Sequence, residues 1–181
     1  MFKERLVAFT DAVIAIILTI LVLDIHLPER SHQLINLVPQ IPVFIAYMAS
    51  FLIIAAFWVS HMQLFHEVQY IEMGSIWANI LFLFFLSLFP ATTAWFGSDI
   101  QGMVPALLYG INILLVNGAL LGLRSTLQRT NHINREMQRL EWLSLGINGV
   151  GCLLIFLWPP VILISLVTDS VLWLISTSRK K

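Results

Sequence analysis

"WLSLGINGVGCLLIFLWPPVILISLVTDSVLWLIS", residues 142–176, decides how many times this chain crosses a membrane. A helix needs about 20 apolar residues to traverse a hydrocarbon core ~30 Å thick, so the run is long enough for two passes if something divides it. Leu157-Trp158-Pro159-Pro160 divides it. Each proline removes a backbone donor and opposes continued helix, which predicts a tight hairpin with about 17 to 18 residues in each arm. A single kinked helix is the alternative, and it would leave five crossings instead of six.

Four further apolar segments, near 6–27, 40–63, 75–96 and 103–123, have spanning length. With 142–158 and 160–176 they predict an all-α polytopic membrane protein, one six-helix transmembrane domain over residues 1–181. The distribution of positive charge tests that count, because Lys and Arg accumulate in short cytoplasmic loops. Six helices with both ends inside put Lys3, Arg5, Arg124, Arg129, Arg135, Arg139, Arg179, Lys180 and Lys181 on the cytoplasmic side and leave Arg30 outside. Five helices would send the last three across the membrane. The polar stretch 124–141 then extends the fourth and fifth helices into the cytoplasm, and its arginines fall outside the spans.

The composition agrees with a membrane protein and excludes several functions. Hydrophobic residues make up 59% of the chain and charged ones 11%, outside the range of a soluble domain. Ten basic residues balance ten acidic ones, so no basic surface points to nucleic acid. The single cysteine, Cys152, cannot form an intramolecular disulfide. His61 and His66 are five apart, off the spacing that puts two ligands on one helical face, so no metal site and no cofactor is expected. Lys3 and Arg5 before an apolar run imitate a secretory signal, but Asp11 interrupts it and no small-residue cleavage site follows Leu23.

Asp11 raises its own question, since an ionisable group in a membrane helix is costly and needs a partner. Arg5 is a poor one: it lies six residues, about 9 Å of rise, away and on another face. Topology offers Trp58 and His61 at the end of the second helix, and Trp77 and Asn79 at the start of the third, all at the depth of Asp11. Indole, imidazole and amide donors around a carboxylate make a satisfiable network.

Arg5-x-x-x-Phe9-Thr10-Asp11 resembles the Arg-x-x-x-Phe-Ser-Asp signature that opens the first helix of the transmembrane protein 175 family, potassium channels of lysosomes and prokaryotes. Thr10 stands for the usual serine and keeps the hydroxyl. Trp58, His61, Trp77, Asn79 and the six-helix layout extend the resemblance over nearly the whole chain. It implies K+ as the permeant ion, a multi-pass protein of a prokaryotic cell membrane, and a homotetramer, since prokaryotic members carry one six-helix unit per chain.

If the first helix faces a pore, the helical repeat places Ile16, Thr19, Ile20 and Leu23 in one stripe and Asp11 on the far side. Asp11 would then brace the helix. The resemblance puts the family's apolar constriction, five residues after the motif aspartate, on Ile16, with further layers at Ile20 and Leu23 and a hydroxyl layer at Thr19. Such a constriction works by radius and dewetting. Asp24, with Glu29, would concentrate cations at the outer mouth. Periodicity by itself favours a lipid-facing or packed stripe; the resemblance supplies the pore.

A small secondary transporter with Asp11 as a proton or cation site is the rival function, though no internal repeat or midplane helix break is evident. An enzyme would need a converging nucleophile, base or metal set, and none appears in the sequence. No helix carries the repeated arginines of a voltage sensor, so a leak-like pore is expected.

Overall fold

Apolar residues at nearly every position from Leu6 onward form α1 (Phe2–Leu23). A short 3-10 segment, Leu34–Gln40, leads into α2 (Ile41–His66), whose Pro42 sits in the first turn, where a missing N–H costs nothing. Then follow α3 (Met73–Leu86), α4 (Phe89–Ser98), α5 (Met103–Gln128), α6 (Glu136–Leu154) and α7 (Val161–Ser178). The structure, a computed structural model, describes residues 2–27, 33–133 and 136–178, and among these every regular element is a helix.

Pro159 and Pro160 fall between α6 and α7, so the C-terminal run makes two helices as expected. The expected third helix is broken: α3 stops at Leu86 and α4 resumes at Phe89. Pro90 has no N–H to offer the carbonyl of Leu86, and the Ser87 hydroxyl donates instead to Phe84 O at 2.7 Å. Counting α3 and α4 as one interrupted rod, six rods pack together. Four helical segments, Lys3–Leu23, Leu34–His66, Met73–Ser98 and Met103–Gln128, are long and apolar enough to cross a membrane.

The core runs along α5, which packs on α3, α4 and α6, while α7 closes the bundle against α6 and α2. Phe57 meets Phe82 and Phe89 edge-on, each at 6.4 Å between ring centres. Phe96 stacks on Tyr109 at 5.1 Å, and the buried tyrosine hydroxyl is shared with Ser50, itself bonded to Thr93. Gly110 lets α5 approach α6 closely, because a Cβ there would lie 2.5 Å from Cys152 Sγ.

One end of the bundle gathers three segments distant in sequence. Lys3 Nζ donates to Val68 O at 2.6 Å, tying the start of α1 to the α2–α3 connection. Asn131, just past α5, accepts from Gln69 N and Tyr70 N at 2.8 and 2.9 Å and donates back to Tyr70 O. A single side-chain amide thereby satisfies three backbone groups of a neighbouring loop.

Arg124 corrects the sequence reading. Expected outside the spans, it is buried within α5, where its Nε donates to Glu141 Oε2 at 2.8 Å and its Nη2 lies 2.7 Å from Glu141 Oε1. Ser60 of α2 adds a hydrogen bond to the same carboxylate. The helix simply continues past the expected boundary, and a carboxylate partner on α6 replaces the water that a loop arginine would have. Arg30, Arg135, Arg179, Lys180 and Lys181 lie outside the described residues.

Candidate pore face and the network behind it

Helix α1 has two unlike faces. Thr10, Ile14, Ile17 and Leu21, spaced by four, three and four, are buried where α1 packs on α2, α3 and α4. The predicted stripe stands clear of that seam: Ile16 is 56%, Ile20 43% and Leu23 73% exposed, with Phe9 on the same open side. Thr19 shares this exposed side, and its hydroxyl donates to Ile16 O at 2.8 Å. Its proton is committed to the helix, so its oxygen lone pairs remain available outward. Val13, Ile16, Ile17, Ile20 and Asp24 line a groove of about 470 Å³ whose other wall is the helix break at Ser87 and Pro90. The structure thus places Ile16, Thr19, Ile20 and Leu23 along one accessible side of α1, with Asp24 half-buried in the turn just past its end. Glu29 lies outside the described residues.

The network behind α1 uses the predicted residues in a different pairing. Asp11 accepts from Trp58 Nε1 at 2.9 Å, as expected of an indole donor. His61 and Asn79 instead reach Thr10: Asn79 Nδ2 donates to Thr10 Oγ1 at 2.8 Å, and His61 Nε2 lies 2.9 Å from Asn79 Oδ1. The chain has a defined polarity. Thr10 Oγ1 donates to Leu6 O at 3.0 Å, so it must accept from the Asn79 amide, which turns Asn79 Oδ1 toward His61 and makes His61 Nε2 the donor. The imidazole is held flat between Phe65 and Phe82, at 4.4 and 5.9 Å. Trp77 and Arg5 are exposed in the single chain.

Thr10, Asn79 and His61 are fully buried, so their bonds are hard to replace. Thr10→Val, which keeps the shape and removes the hydroxyl, is expected to cost about 1–3 kcal/mol by stranding an amide hydrogen of Asn79. Thr10→Ser should cost much less. Thermal unfolding of both variants in detergent checks this, and equal losses would mean the hydroxyl is not the operative group.

Besides the Ser50–Thr93–Tyr109 group, two polar clusters that hold a charged residue type escaped the sequence reading. The Arg124–Glu141–Ser60 group is one. The other joins Asn117 of α5, Ser144 and Asn148 of α6 and Asp169 of α7, all buried. The signals were present: Asp169 is an ionisable residue inside an apolar run, as Asp11 is, and Ser144 and Asn148 are four apart on one helical face.

An all-helical, multi-pass membrane protein results, with one helix braced by hydrogen bonds on its inner side and apolar on its open side. Residues 5–90 match the family model described as endosomal/lysosomal potassium channel TMEM175. The chain belongs to this TMEM175 family. It is 32% identical over 185 residues to a protein named potassium channel from Chryseobacterium sp., covering 99% of this chain and 96% of that one. A potassium channel of Streptomyces collinus is 32% identical over 139 residues, 71% of this chain and 66% of its own. The fold matches the crystal structure of a lysosomal potassium-selective channel TMEM175 homolog from Chamaesiphon minutus, with TM-score 0.83 at 23% identity over 96% of this chain and 97% of that one. The family and these relatives are named as channels and not as enzymes.

Proposed function

We propose that this chain is a potassium-selective, leak-like cation channel of a prokaryotic plasma membrane, in which four copies arrange α1 around a central pore. The observation that carries this reading is the open apolar face of α1, with Ile16, Ile20 and Leu23 exposed while the opposite face is fixed by buried hydrogen bonds. One chain with one such helix cannot enclose a path, and rotational symmetry closes it. In that assembly Ile16 forms the narrowest apolar ring, Ile20 and Leu23 the next layers, and Thr19 a ring of hydroxyl oxygens for a partly dehydrated cation. Asp24 supplies negative charge toward the outer mouth. Arg5, Phe9, Thr10, Asp11, Trp58, His61, Trp77 and Asn79 hold α1 in register.

Topology and charge support the orientation. The start of α1, the α2–α3 connection and the residues after α5 meet at one end of the bundle, which the positive-inside rule assigns to the cytoplasm. The buried Arg124 is neutralised by Glu141 and is no free gating charge, in keeping with weak voltage dependence.

Purified protein in liposomes tests the reading. Downhill K+ flux faster than Na+ flux, with no counter-ion required, is the expected result. Flux that requires a proton gradient would replace the channel with a transporter centred on Asp11.

A further inference from the structure

The cluster around Asp169 is short of one hydrogen. Ser144 Oγ lies 2.6 Å from Asp169 Oδ2 and 2.9 Å from Asn117 Oδ1, yet a serine hydroxyl has one hydrogen to give. The amides cannot be turned to supply another. Asn117 Nδ2 donates to Ile113 O at 3.1 Å, so rotating that amide would set oxygen against oxygen. Asn148 Nδ2 spends its hydrogens on Ser144 O at 3.1 Å and on Asp169 Oδ2 at 2.7 Å.

No counter-charge is at hand either. Asp169 is 0% exposed near the middle of α7. The buried cation of this region, Arg124, is held by both oxygens of Glu141, one helical turn before Ser144 on α6. Toward α2 lies an apolar groove, which Leu52, Ala55, Ala56 and Val59 line on the α2 side. Among the described residues no Lys, Arg or His makes an ion pair with Asp169, and its Oδ1 has no hydrogen-bond partner. An anion there would be buried, uncompensated and half unsolvated.

We propose that Asp169 is a proton-binding site: it is a neutral carboxylic acid whose proton joins α5, α6 and α7. Asp169 Oδ2 donates to Ser144 Oγ, Ser144 donates to Asn117 Oδ1, and Asn148 donates to Asp169. Each short contact then holds one hydrogen. The proton acts as a structural ligand that lets the last helix carry an aspartate at mid-depth, apart from the α1 face.

Infrared spectroscopy of the full chain in lipid at neutral pH tests this directly. The expected result is a carbonyl band of a protonated carboxylic acid that shifts when aspartate is isotope-labelled at its side-chain carboxyl and disappears in Asp169→Asn. Should Asp169→Asn fail to fold, survival of the labelled band in each of Asp11→Asn, Asp24→Asn and Asp99→Asn serves instead. Absence of the band, a band unmoved by the aspartate label, one that persists in folded Asp169→Asn, or one lost in Asp11→Asn, Asp24→Asn or Asp99→Asn would overturn the proposal.

Discussion

Ile16→Asn is expected to raise cation flux through the reconstituted channel by about tenfold or more and to remove most of its preference for K+. An apolar ring excludes ions by keeping water out of a narrow section, and an amide at the same level admits water and supplies polar partners. A tenfold change needs a barrier change of ~1.4 kcal/mol, small beside what isoleucine-sized apolar groups from the four copies of the proposed assembly can contribute. Ile16→Ala should raise flux of both ions by widening the ring, with a smaller loss of preference because the lining stays apolar. Liposome flux of K+ and Na+, compared across the native chain and both variants, checks the pair. Indifference to both substitutions would show that the conducting path does not pass Ile16, and the open face of α1 would have to be reassigned to lipid or to a subunit contact.

Arg124→Met and Glu141→Leu are each expected to destabilise the protein by about 3–5 kcal/mol, because each leaves the other charge buried without its partner. The double variant Arg124→Met/Glu141→Leu should recover most of that loss. Two apolar side chains of similar bulk remove both desolvation costs at once, and replacing a buried pair by apolar groups is often neutral. Both side chains are nearly inaccessible and joined by two short contacts, so this pair differs from a screened surface bridge worth about 0–1 kcal/mol. Thermal unfolding in detergent of the two single variants and the double variant measures the coupling. Additive losses in the double variant would show that the charges do not act as a pair.

The contrast between Asp11 and Arg124 shows where sequence reasoning succeeds. Asp11 was conspicuous because it interrupts an apolar run, and its indole partner could be found by matching depth along neighbouring helices. Arg124 was hidden because it stands at the start of a polar stretch, where a solvated arginine is the ordinary expectation. Glu141 lies 17 residues further along the chain, and their meeting depends on how α5 and α6 rotate about their axes. Asp169 was as conspicuous as Asp11, yet its partners Asn117, Ser144 and Asn148 come from two other helices whose facing sides the sequence leaves open.

The division follows from the physics of each feature. Segment length, hydropathy and proline placement are local sums along the chain, so the sequence by itself determined the helical class, the six rods, the cut at Pro159 and Pro160 and the shared level of Asp11 and Trp58. The stripe Ile16, Thr19, Ile20 and Leu23 was likewise a matter of helical repeat. Tertiary structure decided which stripe of each helix turns inward, and through that the rest: Thr10 and not Asp11 as the partner of Asn79, and the burial of Arg124 and Asp169. A helix can turn about its axis without changing its depth, and packing against neighbours far along the chain is what fixes that angle.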